Sequence, residues 1–557
     1  MRALMSIVAL ITAAVTVSTA IHAGSQPSTQ SVAHYAEEQL LANYTKDGPG
    51  AAIIVARHDE ILFRGARGVG DVETGTPLSP QSVFEIGSIT KQFAAAGLLK
   101  LVEAGKVSLD DPISKFVPGY PNGAAITVQQ LLNHTSGVKN YTEKSQQAAA
   151  GLTTRQLIKT FENDTPDFPP GSGWAYDNSG YVLVGAVIEA VSGKSWHAYL
   201  REALFKPLGL VHTGYVGDAS TKHVRGYSLA DGKAVPAEGV FSVHADGALV
   251  STVDDLLIWN RALHTGHVLK NASYQRMIAP VGAAIPEHYG FALWNTTLRN
   301  APMLAHSGHI TGFSAYLLYL PQTDLSVAIL QNMDRDASFA DPSLTARKIA
   351  AFAIGDPYPT PTPIEVDAAA LEEAQGVYGI DPPGPRDGSV QSARMLRVMD
   401  GKLTMSRTGE LRSDLIPIGV DTFQSKASLD RLQIERQSGK ITALRFFPDG
   451  EGKGLLLART TQVVQAVPSS MTLPRSALES VVGTYATEGL ELRMFLNGEK
   501  LKGQVTGQRS FEVRAESASR FYVTEIDATL EFSPSGASPT HVTVHQGGEN
   551  VELERKP

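Results

Sequence analysis

Ser88 and Lys91 are the first residues in this chain whose types and spacing could do chemistry. They stand three residues apart at the start of an alanine-rich stretch, and residues three apart on a helix share a face. A serine at a helix N-terminus lies beside backbone N–H groups that favour an alkoxide and form part of an oxyanion hole. A desolvated lysine within reach can act as its base. The pair predicts a nucleophile with its base, and a helix cap beside an exposed lysine is the simpler alternative.

A second group, Tyr176 and Asn178, stands two residues apart in a loop before a predicted helix. Both side chains can face one side of an extended segment. Tyrosine can transfer protons when nearby cations favour its phenolate, and asparagine can hold a substrate amide. A packed loop tyrosine followed by an asparagine helix cap is the alternative.

The third group is His306, Gly308 and His309, which precede a predicted inner strand. A glycine at this position lets substrate approach the backbone, and His306 could bind substrate or tune the tyrosine. His306 and His309 also form a His-x-x-His pair, but no Asp or Glu at metal-ligand spacing accompanies them. We therefore expect no metal and no other cofactor.

Composition excludes several other classes of function. The chain has 557 residues, a formal net charge of −8 and no cysteine. This length is enough for about three domains. Because no Lys/Arg cluster stands out, nucleic acid is not an expected partner. The absence of cysteine excludes disulfides, thiol nucleophiles and cysteine-ligated metal sites.

Residues 1–23 have the pattern of a secretory signal peptide, with Arg2 before an apolar run and small residues at the end. We expect an exported protein, periplasmic or secreted, that keeps no stable membrane span. An uncleaved anchor is the alternative, because the apolar run is long for a signal.

The elements that must position these groups indicate an α+β domain over residues 24–355. A hairpin is predicted over residues 51–65, and two further strands over Phe313–Leu320 and Leu325–Gln331. Helical patterns lie between, starting at Ser88, near Ser179 and at Ser251. Strands at both ends with helices between them suggest one antiparallel sheet flanked by helices and a helical region.

The remainder of the chain predicts two small antiparallel β-barrels. Residues 356–368 form a proline-rich linker. Beyond it, Leu371–Tyr378 is repeated as Leu478–Tyr485, and each copy is followed by turn signals, first Asp400-Gly401 and then Asn497-Gly498. Later Ser-Gly turns follow in both copies. We therefore expect one module over residues 369–465 and a second over residues 471–557, each a closed or nearly closed barrel.

Taken together, the three groups resemble the motifs of the serine β-lactamase and penicillin-binding protein superfamily. Ser88-Ile89-Thr90-Lys91 matches Ser-x-x-Lys, Tyr176-Asp177-Asn178 matches Tyr-x-Asn, and His306-Ser307-Gly308 matches His-x-Gly. The resemblance is closest to the class C-like branch of D-alanyl-D-alanine carboxypeptidases, D-aminopeptidases and esterases, and extends over roughly residues 35–350.

This resemblance implies a role for each residue. Ser88 would be the acylated nucleophile, with Lys91 and Tyr176 as proton-transfer partners. Asn178 and His306 would be substrate-side groups, and the N–H groups of Ser88 and His309 would form the oxyanion hole. The recurring segments L-L-N-H-T-S-G-V and D-G-A-L-V-S-T-V-D-D-L fit the same family.

The resemblance also narrows the range of substrates that we expect. Penicillin-targeted members carry Lys in the third motif, where it pairs with a substrate carboxylate, whereas an unperturbed His306 is largely neutral at pH 7. The expected function is hydrolysis of small peptides with D-amino acids, or of esters, through an acyl-enzyme; the two barrels are similar to those of D-aminopeptidases. An aminopeptidase needs a carboxylate for the substrate ammonium. The candidate closing loop, Lys502–Phe511, has none, so Glu488, Glu491 and Asp177 are the candidate anchors.

Rival functions remain on the same scaffold. A D-Ala-D-Ala carboxypeptidase or β-lactamase is one, and an inactive cell-wall-binding protein is another. An α/β-hydrolase would need Gly-x-Ser-x-Gly, which the chain lacks. Peptidoglycan fragments and a homodimer are left open as partners.

Overall fold

The fold is taken from a computed structural model that describes most of the chain. The described residues are 27–143, 151–218, 220–230, 233–237, 244–334, 341–379, 393–407, 412–464, 469–487, 490–505, 510–523, 526, 528–533, 539–546 and 549–556. The expected signal peptide, residues 1–23, lies outside them.

The first domain is built on a six-stranded antiparallel sheet that joins the two ends of the domain. The strands are β1 (Ala51–Arg57), β2 (Glu60–Arg67), β3 (Val69–Asp71), β4 (Thr76–Pro77), β5 (Phe84–Glu85), β6 (Gly214–Tyr215), β7 (Tyr227–Ala230), β8 (Lys233–Pro236), β9 (Leu249–Ser251), β10 (Trp294–Leu298), β11 (Ala301–Ile310), β12 (Phe313–Leu320) and β13 (Leu325–Gln331). The sheet order is β10-β11-β12-β13-β1-β2. Strand β1, near the start of the domain in sequence, therefore pairs with β13, near its end. The predicted hairpin and the two late strands are confirmed.

Helices cover both faces of this sheet. They are α1 (Thr29–Asn43), α2 (Thr90–Glu103), α3 (Val128–Leu132), α4 (Thr154–Phe161), α5 (Ser179–Ser192), α6 (Trp196–Leu200), α7 (Lys206–Leu208), α8 (Val253–His264), α9 (Asn271–Ile278) and α10 (Pro342–Ala353). In β1, Ile53 packs into the core on the side of α1 and α10, and Ile54 packs into the core on the side of α2 and α8. Side chains alternate across a strand, so β1 supplies both cores. The predicted α+β architecture is confirmed.

Helix ends follow their sequence signals. The Thr252 hydroxyl accepts a hydrogen bond from the Asp255 N–H at 3.1 Å and begins α8. Gly193, with a φ of 68°, ends α5 in the left-handed conformation that glycine adopts readily. These caps fix the ends of two helices that pack around α2.

Two β-modules follow, and they share a detailed repeat. The first comprises α11 (Ala368–Ala374) and β14 (Gly376–Tyr378), β15 (Arg394–Met399), β16 (Lys402–Ser406), β17 (Ser413–Gly419), β18 (Thr422–Ser425), β19 (Arg431–Gln437), β20 (Lys440–Phe447) and β21 (Leu455–Ala458). The second comprises α12 (Arg475–Ser480) and β22 (Gly483–Thr487), β23 (Leu490–Asn497), β24 (Lys500–Val505), β25 (Ser510–Ala515), β26 (Arg520–Val523), β27 (Ala528–Ser533), β28 (His541–Gln546) and β29 (Glu549–Arg555). The second module is a closed eight-stranded barrel. The first is an eight-stranded sheet whose ends meet at a bridge between Tyr378 and Arg459.

The repeat extends to single side chains. The Tyr378 hydroxyl donates to the Ala374 carbonyl at 2.7 Å, and the Tyr485 hydroxyl donates to the Val481 carbonyl at 3.0 Å. An arginine from the last part of each module, Arg459 or Arg555, lies over the ring of the corresponding tyrosine. The predicted pair of barrel modules is therefore confirmed. The later Ser535-Gly536 turn lies outside the described residues.

Polar contacts join the three units in series. Glu451 of the first module accepts from the Arg299 N–H at 2.7 Å and from the Tyr358 hydroxyl at 2.7 Å. Between the modules, Arg397 donates to the Tyr522 hydroxyl at 2.8 Å. Arg299 lies between β10 and β11, just before β11 starts, whereas His309 lies near the other end of β11. The first module therefore attaches away from the third motif. Within the described part of the chain, no helix combines the length and apolar character that crossing a membrane requires.

Candidate active site

Ser88 lies in a tight turn between β5 and α2. The turn is a single 3₁₀ segment, Gly87–Ile89, and α2 begins at Thr90. Neither N-terminus has a side-chain cap hydrogen bond, so the alternative of Ser88 as a helix cap is wrong. Gly87 has a φ of 49°, and a Cβ at this position would lie 2.7 Å from the His309 nitrogen. Glycine thus lets the turn approach β11 closely.

Lys91 is a buried lysine held by three oxygen atoms. It is 0% exposed, and its Nζ lies 3.0 Å from Ser88 Oγ, 2.7 Å from Asn178 Oδ1 and 2.8 Å from the Asp246 carbonyl oxygen. The second and third of these atoms can only accept hydrogen bonds. A neutral amine would donate to both and turn its lone pair towards Ser88, whereas an ammonium would donate to all three. The alternative of an exposed lysine is therefore wrong.

Asn178 and Tyr176 approach Lys91 from the segment before α5. Asn178 occupies the N-cap position of α5, but its side chain makes no cap hydrogen bond. Instead its Oδ1 accepts from Lys91, and its Nδ2 donates to Thr142 Oγ1 at 3.2 Å. The Tyr176 ring is half-buried and has Lys91 Nζ 5.0 Å from its centroid. The geometry thus brings Ser88, Lys91, Tyr176 and Asn178 together, and excludes the asparagine cap.

Gly308 and His309 lie on β11 beside the turn Gly87–Ile89. A Cβ at Gly308 would lie 2.0 Å from the Ile86 carbonyl oxygen, so only glycine permits this approach. The strand β10 pairs with β11 up to Ala305, and the part that carries Gly308 and His309 continues beyond this pairing towards Ser88. The His309 backbone is therefore adjacent to Ser88, while its side chain is exposed.

His306 differs from the expectation of a substrate-facing histidine. Its ring is 0% exposed, and both nitrogens have partners within the protein. Nδ1 lies 2.7 Å from the Ser307 carbonyl oxygen and Nε2 lies 3.0 Å from the Tyr289 hydroxyl. Burial, assisted by the charge of Lys91, lowers the pKa of His306 to about 3. The third motif therefore places a neutral ring behind the site and not a charge within it.

Two of the three candidate carboxylate anchors are engaged elsewhere. Asp177 is 2% exposed and accepts from the Gly180 N–H, while its other oxygen faces His134 at 3.1 Å. Glu491 pairs with Lys556 at 2.9 Å on the second barrel, and Glu488 lies outside the described residues. Asp177 is thus a structural carboxylate and is unsuited to bind a substrate ammonium. Among the described residues, no group of three His, Asp or Glu side chains could hold a metal ion.

Some residues of the site had no role in the sequence-based prediction. The Asp246 carbonyl accepts from Lys91, and its carboxylate accepts from the Tyr141 hydroxyl at 2.9 Å. His134 and Tyr289 line the inner side of the site and contact the Tyr176 ring. The segments that contain His134 and Asp246 were recognised as family segments, but a backbone carbonyl and buried rings leave no pattern from which a role can be deduced.

The first domain matches known proteins in sequence. The Beta-lactamase family profile matches residues 36–352. Penicillin-binding protein 4* of Bacillus subtilis (strain 168) is 26% identical over 435 residues, which cover 72% of this chain and 92% of that protein. The putative penicillin-binding protein PbpX of the same strain is 29% identical over 247 residues, 43% of this chain and 62% of PbpX.

Two solved structures share the fold. The octameric penicillin-binding protein homologue from Pyrococcus abyssi is 24% identical with a TM-score of 0.55, covering 77% of this chain and 100% of that chain. The D-amino acid amidase from Ochrobactrum anthropi SV3, complexed with D-phenylalanine, is 24% identical with a TM-score of 0.52, covering 58% of this chain and 98% of that chain. Each extends the match of fold over nearly the whole of the compared structure.

Proposed function

Since the chain belongs to the Beta-lactamase family of serine hydrolases, we propose that Ser88 is acylated by small amide or ester substrates, foremost small peptides with D-amino acids. The observation that carries the proposal is the buried Lys91, whose Nζ lies 3.0 Å from Ser88 Oγ while two obligate acceptors hold it in place. An apolar residue would fill this buried position without the desolvation that a lysine amine requires, so a lysine here indicates a chemical role.

In the proposed first step, neutral Lys91 takes the Ser88 proton while Oγ attacks the substrate carbonyl carbon. The tetrahedral oxyanion then collapses, and the C–N or C–O bond to the leaving group breaks. The leaving group receives a proton through Tyr176, which Lys91 replenishes. A water then attacks the acyl-enzyme along the reverse route, releasing the acid and restoring the Ser88 hydroxyl.

The oxyanion would be bound by the backbone N–H groups of Ser88 and His309. Their proximity supports this assignment, because the Gly87 turn packs directly against the His309 nitrogen. Backbone donors fixed in this way cost no reorganisation as charge develops on the carbonyl oxygen.

The proposed preference for aminopeptidase and ester substrates over substrates that are recognised by their carboxylate rests on His306. A ring with a pKa of about 3 supplies no cation to pair with a substrate carboxylate. A second candidate is acylation by a β-lactam, which the name of the relative Penicillin-binding protein 4* favours. Neither candidate changes the role of Ser88.

A substrate panel tests the proposal. We expect the enzyme to hydrolyse D-alanine p-nitroanilide or p-nitrophenyl acetate faster than N-acylated D-Ala-D-Ala or nitrocefin. Ser88→Ala should abolish all turnover. Preferred turnover of nitrocefin would favour the β-lactam candidate, and retained turnover by Ser88→Ala would refute the mechanism.

A further inference from the structure

Buried groups of Asp177, His134, Tyr289 and His306 form a continuous hydrogen-bonded chain behind the candidate site. His306 Nε2 lies 3.0 Å from the Tyr289 hydroxyl, which lies 3.2 Å from His134 Nε2. His134 Nδ1 in turn lies 3.1 Å from Asp177 Oδ2 and 3.3 Å from the Asp177 N–H nitrogen. His134, Tyr289 and His306 are each 0% exposed. We name the set Asp177, His134, Tyr289 and His306 the inner chain.

The proton order along the inner chain follows from counting donors. Nδ1 of His306 faces the Ser307 carbonyl oxygen, which can only accept, so Nδ1 carries a proton. Because burial keeps this ring neutral, its Nε2 accepts from the Tyr289 hydroxyl. Tyr289 has then donated its one proton and must accept from His134. His134 therefore carries a proton on Nε2, and because burial lowers the pKa of this ring and keeps it neutral, its Nδ1 accepts from the Asp177 N–H.

The inner chain joins the second motif to the third. Asp177 stands between Tyr176 and Asn178, while His306 stands two residues before Gly308 on β11. The Tyr176 ring also packs on His134, with centroids 4.4 Å apart. Moving β11 away from the second motif would break at least one of the buried contacts, and a buried polar group without its partner is costly.

The backbone at the centre of the inner chain is held in an uncommon conformation. His134 has a φ of 60°, in the left-handed region that non-glycine residues seldom adopt. Strain of this kind persists only where surrounding contacts fix it. At Asp177 the opposite end is fixed by the Gly180 N–H, which donates to Oδ1.

We propose that Asp177, His134 and Tyr289 are positioning residues that act through His306 to hold β11 in register with Tyr176 and Asn178 around Ser88. This inference rests on the proposed function, because the register matters for turnover only if Ser88 is the nucleophile. It also explains the neutral third motif. The ring of His306 serves as the acceptor that ends an ordered chain, and a lysine, which has no acceptor, could not take its place.

The test uses Tyr289→Phe, which removes only the bridging hydroxyl and keeps the ring that packs against Trp294. We expect kcat for p-nitrophenyl acetate to fall by about 10- to 100-fold with little change in KM, because small misplacement of catalytic groups costs this much. The control is Tyr44→Phe, which removes a buried hydroxyl bonded to Gln331 in the core on the opposite side of the sheet. It should lower the melting temperature to a similar extent and leave kcat unchanged.

A second readout does not depend on activity. In ¹⁵N-histidine-labelled enzyme, NMR should show His134 protonated at Nε2 and His306 at Nδ1 alone, with the His306 signals assigned by their loss in His306→Asn. In Tyr289→Phe the His134 signal should change. A wild-type His134 protonated only at Nδ1 would overturn the proposal even if Tyr289→Phe does not fold. So would a folded Tyr289→Phe with wild-type kcat while Ser88→Ala is inactive. Turnover by Ser88→Ala would instead refute the proposed function.

Discussion

The groups on both sides of Ser88 are buried and polar, but one side carries a lysine amine and the other a neutral histidine ring. On one side Lys91 has two obligate acceptors, Asn178 Oδ1 and the Asp246 carbonyl, and lies 5.0 Å from the centroid of the Tyr176 ring. On the other side His306 is neutral, with each ring nitrogen bonded inside the protein. The site therefore places a lysine amine within hydrogen-bond distance of Ser88 and a neutral ring beside β11.

Replacing Lys91 should have the largest effect on turnover. In Lys91→Met the apolar side chain fills the same space but cannot take the Ser88 proton, so we expect kcat/KM for p-nitrophenyl acetate to fall by about 10³-fold or more. Lys91→Arg is the informative companion, because arginine keeps the charge but does not give up its proton. It should be equally inactive. An active arginine variant would mean that Lys91 contributes charge alone.

Introducing a cation at position 306 should have an intermediate effect, seen in the preference between substrates. His306→Lys places a cation where the wild type has a neutral ring. Because lysine offers Tyr289 no acceptor, turnover of every substrate should fall, and only the ratio between substrates reports the effect of the charge. We expect the ratio of kcat/KM for N-acylated D-Ala-D-Ala to that for D-alanine p-nitroanilide to rise about tenfold, equivalent to about 1.4 kcal/mol. His306→Met is the neutral control and should leave the ratio unchanged. If both variants change it equally, the shape of the pocket and not the charge decides the preference.

The sequence was informative where chemistry or periodicity is local. Ser88 and Lys91 three apart, and Tyr176 and Asn178 two apart, are short-range patterns, and the structure brings all four together. The strands β12 and β13 coincide with the predicted ranges because alternation, a turn and a buried run all agree.

The parts that could not be predicted depend on long-range packing. The acceptor role of the Asp246 carbonyl involves a backbone atom 155 residues from Lys91, and no side-chain pattern encodes it. The prediction that His306 faces substrate is wrong. Its ring is buried against Tyr289 and Trp294, which come from separate segments, and no local pattern around His306 indicates this packing. The free carboxylate proposed at Asp177 was excluded for the same reason, since His134 reaches it from 43 residues away.

The smallest effect on turnover should come from a histidine that resembles His306 but lies outside the site. Burial lowers the pKa of His264 to about 3, and its ring stacks on Tyr319 with centroids 4.4 Å apart. In the unfolded state His264 binds a proton below about pH 6.5, whereas in the folded state it stays neutral down to about pH 3. The stability is therefore full above pH 6.5 and falls as the pH drops towards 3.

His264→Phe should therefore unfold less readily in acid. Relative to its own change at pH 8, we expect a gain of about 2 kcal/mol in the free energy of unfolding at pH 5, with kcat unaffected. Urea denaturation at both pH values measures the gain. A variant with the same pH dependence as the wild type would show that His264 is protonated in the folded protein, and that burial alone does not keep such rings neutral.

The proposed function requires that Ser88 carries the acyl group. Incubation with a fluorophosphonate or a labelled penicillin, followed by proteolysis and mass spectrometry, locates the modified residue directly. We expect a single adduct on the peptide that contains Ser88, absent from Ser88→Ala and strongly reduced in Lys91→Met. A stable adduct on any other residue, with Ser88 unmodified in active enzyme, would contradict it.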